Sequence, residues 1–394
     1  MNLTTTAPRG ARGLDRRLFL RGLAALPLAA SVADWARSGQ NASSDNLIER
    51  VLEPQNLEFP FHALNSFIIP NDRFYVRNHF AAPRLEARTW RLRVEGAVTR
   101  TLELTYDQLR ELPTRTVTAT LECAGNSRAL NVPPLRGVAW QQGAVGNAEW
   151  TGVPLAAVLE RAGVRRPAAE VVLEGADRGE VTSEPRPAGP IPFARSLPLA
   201  KARQDGVLLA FRMNDADLPP AHGFPVRAVV PGWYGMASVK WLTRLIVTDA
   251  PFQGFWQTTD YSIYERDQGL PVQRPITEMQ IKSQIAQPRA GATVTAGAEV
   301  RIHGAAWTGE SDVNRVEISA DAGRTWADAR LQGRAQRYAW RLWEYTWRAP
   351  ANAGRVSLMS RATDARGRTQ PATRDPDRRN YMVNHLMPVE VQVR

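Results

Sequence analysis

The sequence predicts a mixed α+β domain followed by an all-β sandwich of immunoglobulin type. The chain has 394 residues, and at roughly 150 residues per domain this length suggests two or three domains. Up to about residue 264, short strand-like runs mix with two helical segments without a regular βαβ repeat, which favours α+β over a doubly wound sheet. Beyond about residue 275 only short strands separated by turn residues remain, as in a sandwich.

Composition excludes several other classes of protein. The chain is 43% hydrophobic and 23% charged, which is typical of a soluble globular protein. It contains no stretch of roughly 18 to 20 apolar residues, so no membrane-spanning helix is expected. A single cysteine rules out an intramolecular disulfide, a four-thiolate zinc site and a protein-bound iron–sulfur cluster.

Residues 1–33 have the pattern of a twin-arginine signal peptide. Arg16 and Arg17 precede an Ala/Leu-rich stretch that ends in the small-residue triplet Ser31-Val32-Ala33, the layout of an exported precursor. A basic amphipathic helix is the alternative interpretation. The signal predicts export of the folded protein to the periplasm, a route that suits a cofactor inserted in the cytoplasm.

The charge balance favours an anionic substrate over nucleic acid. The net charge is +11, and it becomes +7 without the five arginines and one aspartate of residues 1–33. An excess of this size suits an anionic substrate or an acidic partner, and also simple solubility. No run of Lys and Arg interleaved with aromatic residues occurs, so no nucleic-acid partner is expected.

The first domain is predicted over residues 71–264, after an irregular lead-in at 34–70 that contains three prolines. Helices are predicted at 106–111 and 155–162, the second because Leu155, Val158 and Leu159 share one face and Gly163 follows as a stop signal. Strands are predicted at 90–94, 117–122, 171–174, 207–211, 226–230 and 242–247. No glycine-rich loop of dinucleotide or P-loop spacing follows any of them.

The second domain is predicted over residues 275–394. Its strands are expected at 298–303, 315–319, 341–347, 356–362 and 389–393. Turn residues separate them, notably in the segment Ser319 to Gly323. The domain has no cysteine pair, so the sandwich is not antibody-like.

Cys123 is the first candidate for chemistry. A single cysteine is usually a small buried hydrophobe. However, Cys123 follows a predicted strand at the start of a Gly-Asn turn, where side chains commonly reach a site. An exported protein keeps an unpaired thiol in an oxidising compartment only for a reason. Arg128, five residues later, would favour the thiolate, which is a soft ligand for a redox metal.

Two further segments have the composition of an anion-binding site. Residues 74–79 place Arg77 and His79 close together, and residues 222–227 repeat the His/Arg pair before Lys240. Arginine binds phosphate through two hydrogen bonds and lysine adds a point charge, so these segments could hold a phosphorylated cofactor. Each segment alone could equally be a salt-bridged structural pair.

Together these motifs resemble the sulfite oxidase family of molybdenum enzymes. The motifs are Cys-Ala-Gly-Asn with Arg128 after it, Val-Arg-Asn-His at 76–79, His-Gly-Phe-Pro-Val-Arg at 222–227 and Val-Lys-Trp-Leu at 239–242. The resemblance spans about residues 70–390 in the same order. It implies a domain that carries molybdenum–molybdopterin and a second, immunoglobulin-like dimerisation domain, so a homodimer is expected.

The resemblance also implies roles for individual residues. Cys123 is implied as the molybdenum ligand, and Arg77, Arg128, Tyr261 and Arg379 as the residues that bind and orient sulfite during its oxidation to sulfate. Arg378, beside Arg379, could take that place instead. Alternatively, Arg128 only pairs with a carboxylate such as Glu122 and supports the Cys123 loop. The segments matching those that hold the pterin and its phosphate are Tyr75, Val76, Arg77, Asn78, His79, Asp177, His222, Arg227, Ser238, Val239 and Lys240.

Differences between this sequence and members of that family determine which electron acceptor we expect. No cytochrome b5-like domain and no Cys-x-x-Cys-His motif occur in the sequence, so no haem is expected in this chain. Electrons would therefore pass to an external acceptor such as a c-type cytochrome. The alternatives are the sulfane dehydrogenase subunit of a thiosulfate-oxidising system, a sulfoxide reductase, and a non-catalytic exported binding or adhesion module.

Overall fold

The computed structural model describes residues 46–394, so the predicted signal at 1–33 lies outside the described residues. Within the lead-in, where an irregular segment is expected, strands β1 (Ile48–Val51) and β2 (Asn56–Glu58) form an antiparallel pair. Leu57 of β2 also exchanges backbone hydrogen bonds with Val76. The lead-in is therefore partly ordered, because it pairs with the segment that carries Arg77 and His79.

One five-stranded sheet of the first domain leads to Cys123. Its strands are β5 (Arg115–Glu122), β6 (Val145–Pro154), β9 (Leu208–Met213), β10 (Ala216–Asp217) and β11 (Arg227–Val229). The order is β10-β9-β6-β5, with β11 also beside β9, and all pairs are antiparallel. Cys123 follows the last residue of β5, as predicted.

A second five-stranded sheet completes the first domain. Its strands are β3 (Arg91–Gly96), β4 (Leu102–Thr105), β7 (Glu170–Gly179), β8 (Ile191–Pro198) and β12 (Leu242–Thr248). They are ordered β4-β3-β12-β7-β8, and β3 and β12 run parallel. The mixed pairing, without a regular βαβ repeat, confirms the α+β class.

Three short helices pack beside these sheets: α1 (Tyr106–Arg110), α2 (Leu155–Ala162) and α3 (Leu199–Ala202). Thr105 and Gln108 form a capping box at the start of α1. Gly163 ends α2 in the left-handed conformation, at φ 70°. Both predicted helices are thus confirmed. Within the described part of the chain, no helix combines the length and the apolar character needed to cross a membrane.

A hairpin leads into the second domain. Strands β13 (Ser262–Asp267) and β14 (Leu270–Pro275) pair with each other and follow a π-helical turn over Trp256–Asp260. The hairpin is largely exposed. Its base places Tyr261, which precedes β13, beside the first domain.

The second domain is a sandwich of two sheets, which confirms the predicted class. One sheet contains β15 (Lys282–Gln287), β17 (Glu299–Trp307), β20 (Arg330–Leu331) and β21 (Arg341–Arg348). The other contains β16 (Thr293–Val294), β18 (Val313–Ser319), β19 (Ala327–Asp328), β22 (Gly354–Asp364) and β23 (Val389–Val393). Ile302, Val316, Trp343, Leu358 and Val391 are buried between them.

The two domains share part of their core behind β5. Tyr338, Trp340 and Trp307 of the second domain are buried in the same apolar cluster as Leu121 of β5. The backbone N–H of Thr120 donates to the carbonyl of Tyr338 at 3.0 Å, and its Oγ1 accepts from the N–H of Trp340 at 2.8 Å. The sandwich therefore supports the strand that leads to Cys123.

Candidate active site

A cavity opens next to Cys123. The Cys123 thiol is unpaired and buried. Its backbone N–H donates to the carbonyl of Ala144 at 2.9 Å, and its own carbonyl accepts from the N–H of Asn126 at 2.9 Å. These bonds fix the turn after β5 and leave the thiol among the lining groups. Eleven predicted site residues line the cavity: Tyr75, Arg77, Asn78, His79, Cys123, Asp177, His222, Arg227, Ser238, Lys240 and Tyr261.

The cations at this cavity lack carboxylate partners. Arg227 donates to the carbonyls of His222 and Ser238 at 2.9 Å each, and Lys240 donates to Asn78 Oδ1 and to the carbonyl of Ala221. Burial and the nearby Arg227 lower the pKa of Lys240 well below its usual range. Within residues 46–394, neither residue forms an ion pair. Buried cations without counter-ions are costly, so the cavity is suited to a bound anion.

Asn56 of β2 holds the segment that carries Arg77. Its Oδ1 accepts from the N–H of Asn78 at 3.0 Å and from Arg77 Nη1 at 3.3 Å. Arg77 is half-buried and forms no ion pair within the described chain. A neutral amide thus orients the guanidinium without cancelling its charge. The sequence gives no signal for Asn56, since it lies in the lead-in expected to be irregular.

His79 and Tyr261 form a neutral hydrogen-bonded pair. The Tyr261 hydroxyl lies 2.9 Å from His79 Nε2. Burial, together with Arg77 and Lys240, lowers the pKa of His79 well below its usual range, and burial raises the pKa of Tyr261. The imidazole is therefore neutral and the phenol protonated, so the pair carries no net charge of its own beside the surrounding cations.

Two other lining groups present polar atoms to the cavity. Burial lowers the pKa of His222 to about 3, and its Nε2–H donates to the carbonyl of Asn71 at 2.9 Å. Asp177 is buried, and its Oδ1 has no hydrogen-bond partner. Burial raises the pKa of Asp177 to about 6, although Lys240 opposes that shift. An unpartnered buried carboxyl oxygen is costly, and a donor on a bound ring would satisfy it.

Arg128 is buried and is not among the lining residues, and Glu122 is not its partner. Glu122 instead pairs with Lys282 at 3.0 Å, so the alternative role of Arg128 as a partner of Glu122 is wrong. The guanidinium occupies space left by Gly125 and Gly137, where any Cβ would collide with it. It lies over the ring of Tyr381, with 5.1 Å to the centroid, and its buried Nε has no partner.

Arg379 contacts backbone rather than the cavity. Its Nη1 donates to the carbonyls of Thr259 and Ser262, both at 3.1 Å, and to Ser262 Oγ at 2.6 Å. It thereby fixes the two residues that flank the Asp260–Tyr261 pair. Arg378 forms an ion pair with Asp375 at 3.2 Å. Neither arginine is among the lining residues, and a third anion-binding arginine stays a prediction.

Val76 and Val239 act through the backbone. Both side chains are buried in the core. The N–H and carbonyl of Val76 pair with Leu57, and the carbonyl of Val239 accepts from the N–H of Ala228 at 2.8 Å. They therefore hold in place the neighbours that do line the cavity, which are Arg77 and Lys240.

Arg195 is a buried cation that sequence reasoning missed. It is fully buried in β8, and its guanidinium donates to the carbonyls of Trp256 and Ile276. It lies 6.0 Å from the ring centroid of Tyr261. An arginine within an apolar strand is the only signal that the sequence offers for it. Its charge, again without a carboxylate partner among the described residues, adds to the positive field around Tyr261.

The donor set fits the molybdopterin cofactor that the resemblance implies. A soft thiol and a group of uncompensated cations face the same cavity, and Asp177 offers an acceptor with no partner. Thiolate suits molybdenum. Guanidinium and ammonium groups suit the cofactor's phosphate.

Comparison with known proteins gives matches over both domains. The sequence matches the family model described as an oxidoreductase molybdopterin binding domain over residues 79–256, and the one described as a Mo-co oxidoreductase dimerisation domain over residues 273–393.

Among individual proteins, sulfite oxidase of Arabidopsis thaliana is 34% identical over 344 residues, which cover 81% of this chain and 86% of that protein. Mitochondrial sulfite oxidase of Rattus norvegicus is 39% identical over 360 residues, which cover 86% of this chain. The chain spans 64% of the length of the rat protein. The solved structure of the sulfane dehydrogenase SoxCD from Paracoccus pantotrophus is also similar, with a TM-score of 0.74 and 28% identity, covering 98% of this chain and 94% of that one.

Proposed function

The chain belongs to the sulfite oxidase family of molybdopterin-binding oxidoreductases, and on that premise we propose that it oxidises sulfite to sulfate. The observation that carries the proposal is the Cys123 thiol in the lining of a cavity, together with cations that form no ion pair with a carboxylate among the described residues. Sulfite is a small anion, and its oxidation removes two electrons. The site offers both a metal ligand and a positive field.

Cys123 would bind molybdenum, while Arg227, Lys240, His222 and Asp177 would hold the pterin and its phosphate. When bound, the cofactor supplies two-electron redox chemistry that amino-acid side chains cannot perform. Arg227 and Lys240 are oriented by backbone carbonyls and by Asn78, so each is positioned before the anion arrives. Such preorganised donors stabilise charge at little reorganisation cost.

Arg77 and Arg128 would bind sulfite, and Tyr261 would orient it. Neither guanidinium pairs with a carboxylate among the described residues, so neither positive charge is compensated there. The Tyr261 hydroxyl is held by His79 Nε2 at 2.9 Å and can donate to an oxygen of the substrate. Arg379 would act through Tyr261, because it fixes the backbone on either side of it.

The test is an assay of the purified protein alone with sulfite and ferricyanide, combined with elemental analysis. We expect about one molybdenum per chain and sulfite-dependent ferricyanide reduction. The second candidate is a sulfane dehydrogenase subunit, favoured by the similarity to SoxCD along 98% of the chain. It predicts bound molybdenum but no turnover of free sulfite. A non-catalytic binding module predicts no molybdenum at all.

Arg128→Met should raise the KM for sulfite steeply and lower kcat less. The substitution removes a charge-assisted hydrogen bond to the anion, worth roughly 1.5 to 3 kcal/mol, or about 10- to 150-fold in affinity. KM and molybdenum content are measured on the same preparation. A purely structural role for Arg128 predicts lost molybdenum or lower thermal stability, with a near-normal KM in the remaining holoenzyme. Tyr261→Phe provides the contrast, because there kcat should fall and KM rise together by smaller factors.

We further propose that the protein works in the periplasm as a homodimer and passes electrons to a c-type cytochrome. The twin-arginine pattern of residues 1–33 supports the location, and the match to a dimerisation domain supports the dimer. An exported enzyme needs an acceptor in its own compartment. Small haem proteins supply one there.

Export can be tested with Arg16→Lys combined with Arg17→Lys. The translocase recognises the guanidinium pair, so the double variant should remain in the cytoplasm as an uncleaved precursor. Cell fractionation and the apparent mass on a gel are the measurements. Normal processing and export of the double variant would indicate a different route. The result concerns location alone and leaves the assignment of activity untouched.

A further inference from the structure

We propose that Tyr381, supplied by the second domain, is a positioning residue that holds Arg128 and Tyr261 and thereby sets the affinity for the anionic substrate. The inference rests on the proposed function, since it concerns how the same site binds sulfite. Tyr381 is buried at 8% exposure. It is not among the residues implied by the family resemblance.

The ring of Tyr381 is close to both residues that it would position. The Arg128 guanidinium carbon is 5.1 Å from its centroid, and the ring of Tyr261 is 5.0 Å away at an interplanar angle of 40°. One aromatic side chain therefore contacts both the group that would bind the charge of sulfite and the group that would orient it.

Besides this ring, only the space left by Gly125 and Gly137 is seen to receive the Arg128 guanidinium among the described residues, and the glycines offer it no charge. Within residues 46–394 it has no carboxylate partner, and its Nε has no hydrogen bond. A carboxylate would neutralise the guanidinium and compete with the substrate. An aromatic face attracts the cation without occupying its N–H groups. Tyr381 can thus hold Arg128 while the donors remain available for an anion.

The backbone and the hydroxyl of Tyr381 fix the ring in turn. The N–H of the next residue, Met382, donates to the carbonyl of Ala124 at 2.7 Å, directly beside Cys123. The Tyr381 hydroxyl donates to Asp260 Oδ1 at 2.8 Å. The segment from the second domain is therefore attached at two points, one in the Cys123 turn and one next to Tyr261.

The test compares Tyr381→Leu and Tyr381→Phe in the molybdenum-loaded enzyme. Leucine removes the aromatic face, whereas phenylalanine keeps it and loses only the hydroxyl. We expect Tyr381→Leu to raise the KM for sulfite about 3- to 30-fold, a range that extends from an exposed to a desolvated cation–π contact. Sulfate binding, measured by calorimetry without turnover, should weaken by the same factor. Tyr381→Phe keeps the ring and loses only its hydroxyl bond to Asp260, so both constants should weaken by a smaller factor than in Tyr381→Leu.

Controls make the result specific. Tyr264→Leu, at an exposed tyrosine on β13, should change neither constant. If Tyr381→Leu does not fold, Tyr381→Met takes its place, because methionine fills more of the volume of the ring. An unchanged KM and unchanged sulfate affinity in the ring-less variant overturn the proposal, as does equal weakening in Tyr381→Phe. A wild-type enzyme that neither oxidises sulfite nor binds sulfate instead overturns the proposed function, and this inference with it.

Discussion

Cys123→Ser is expected to give a folded protein that does not oxidise sulfite. Serine nearly preserves the volume of the side chain, but its hydroxyl is a poor ligand for a soft redox metal. The bonds that shape the turn are made by the backbone of Cys123, through Ala144 and Asn126, and serine can keep them. The variant should therefore retain the unfolding temperature of cofactor-free wild-type protein.

Turnover with ferricyanide and molybdenum content are the two measurements. Activity should fall to the background of the cofactor-free protein, whatever amount of pterin remains bound. Near wild-type turnover in Cys123→Ser would show that this thiol does not bind the metal. Loss of the folded state would instead indicate that the thiol matters for packing, and circular dichroism distinguishes that outcome from lost chemistry.

Lys282→Met should destabilise the protein by about 3 to 5 kcal/mol, because it leaves the Glu122 carboxylate buried without a counter-ion. Lys282 Nζ lies 3.0 Å from Glu122 Oε1 and 3.0 Å from Ser127 Oγ. Trp307 Nε1 donates to the other carboxylate oxygen at 2.9 Å. The two charged side chains are 4% and 2% exposed, so water cannot replace the lost partner.

The measurement is the free energy of unfolding from urea titration. Lys282→Met combined with Glu122→Gln should recover much of the loss, because no charge is then left buried. Arg88→Met serves as the matched control: Arg88 pairs with Glu86 at 2.6 Å on the surface, where such pairs contribute about 0 to 1 kcal/mol. Equal effects of Lys282→Met and Arg88→Met would contradict a tightly coupled buried pair.

Local patterns were enough to predict some elements but not others. Helix α2 follows from the spacing of Leu155, Val158 and Leu159, which depends only on residues one turn apart. Strand β6 was missed because both of its faces are buried and its sequence does not alternate. Asn147 in this strand is fully buried, and its Oδ1 accepts from Thr120 Oγ1 at 3.0 Å. A polar residue such as Asn147 can lie in a buried strand because residues distant in the sequence supply its hydrogen bonds, and a local sequence pattern does not show those partners.

In the candidate site, too, some residues follow from local motifs and others depend on contacts between distant parts of the chain. Residues 75–79 and 222–240 were found because their motifs are contiguous in the sequence, and the structure brings them to one cavity. The direction of the Arg379 side chain could not be predicted, since it depends on carbonyls 117 to 120 residues away. Tyr381 carries no motif. Its contact with Arg128 arises only when the two domains pack together.

The attachment of the sandwich to the Cys123 turn has a consequence for how such enzymes can evolve. Lys282 reaches Glu122, and Met382 reaches Ala124, so residues on both sides of Cys123 are held by the second domain. A chimera that exchanged the sandwich for that of a relative would alter the metal-binding turn even if every lining residue were retained. The two domains are therefore expected to evolve together. A substitution in the turn around Cys123 is tolerated only when it fits the second-domain residue that contacts it, and the reverse also holds.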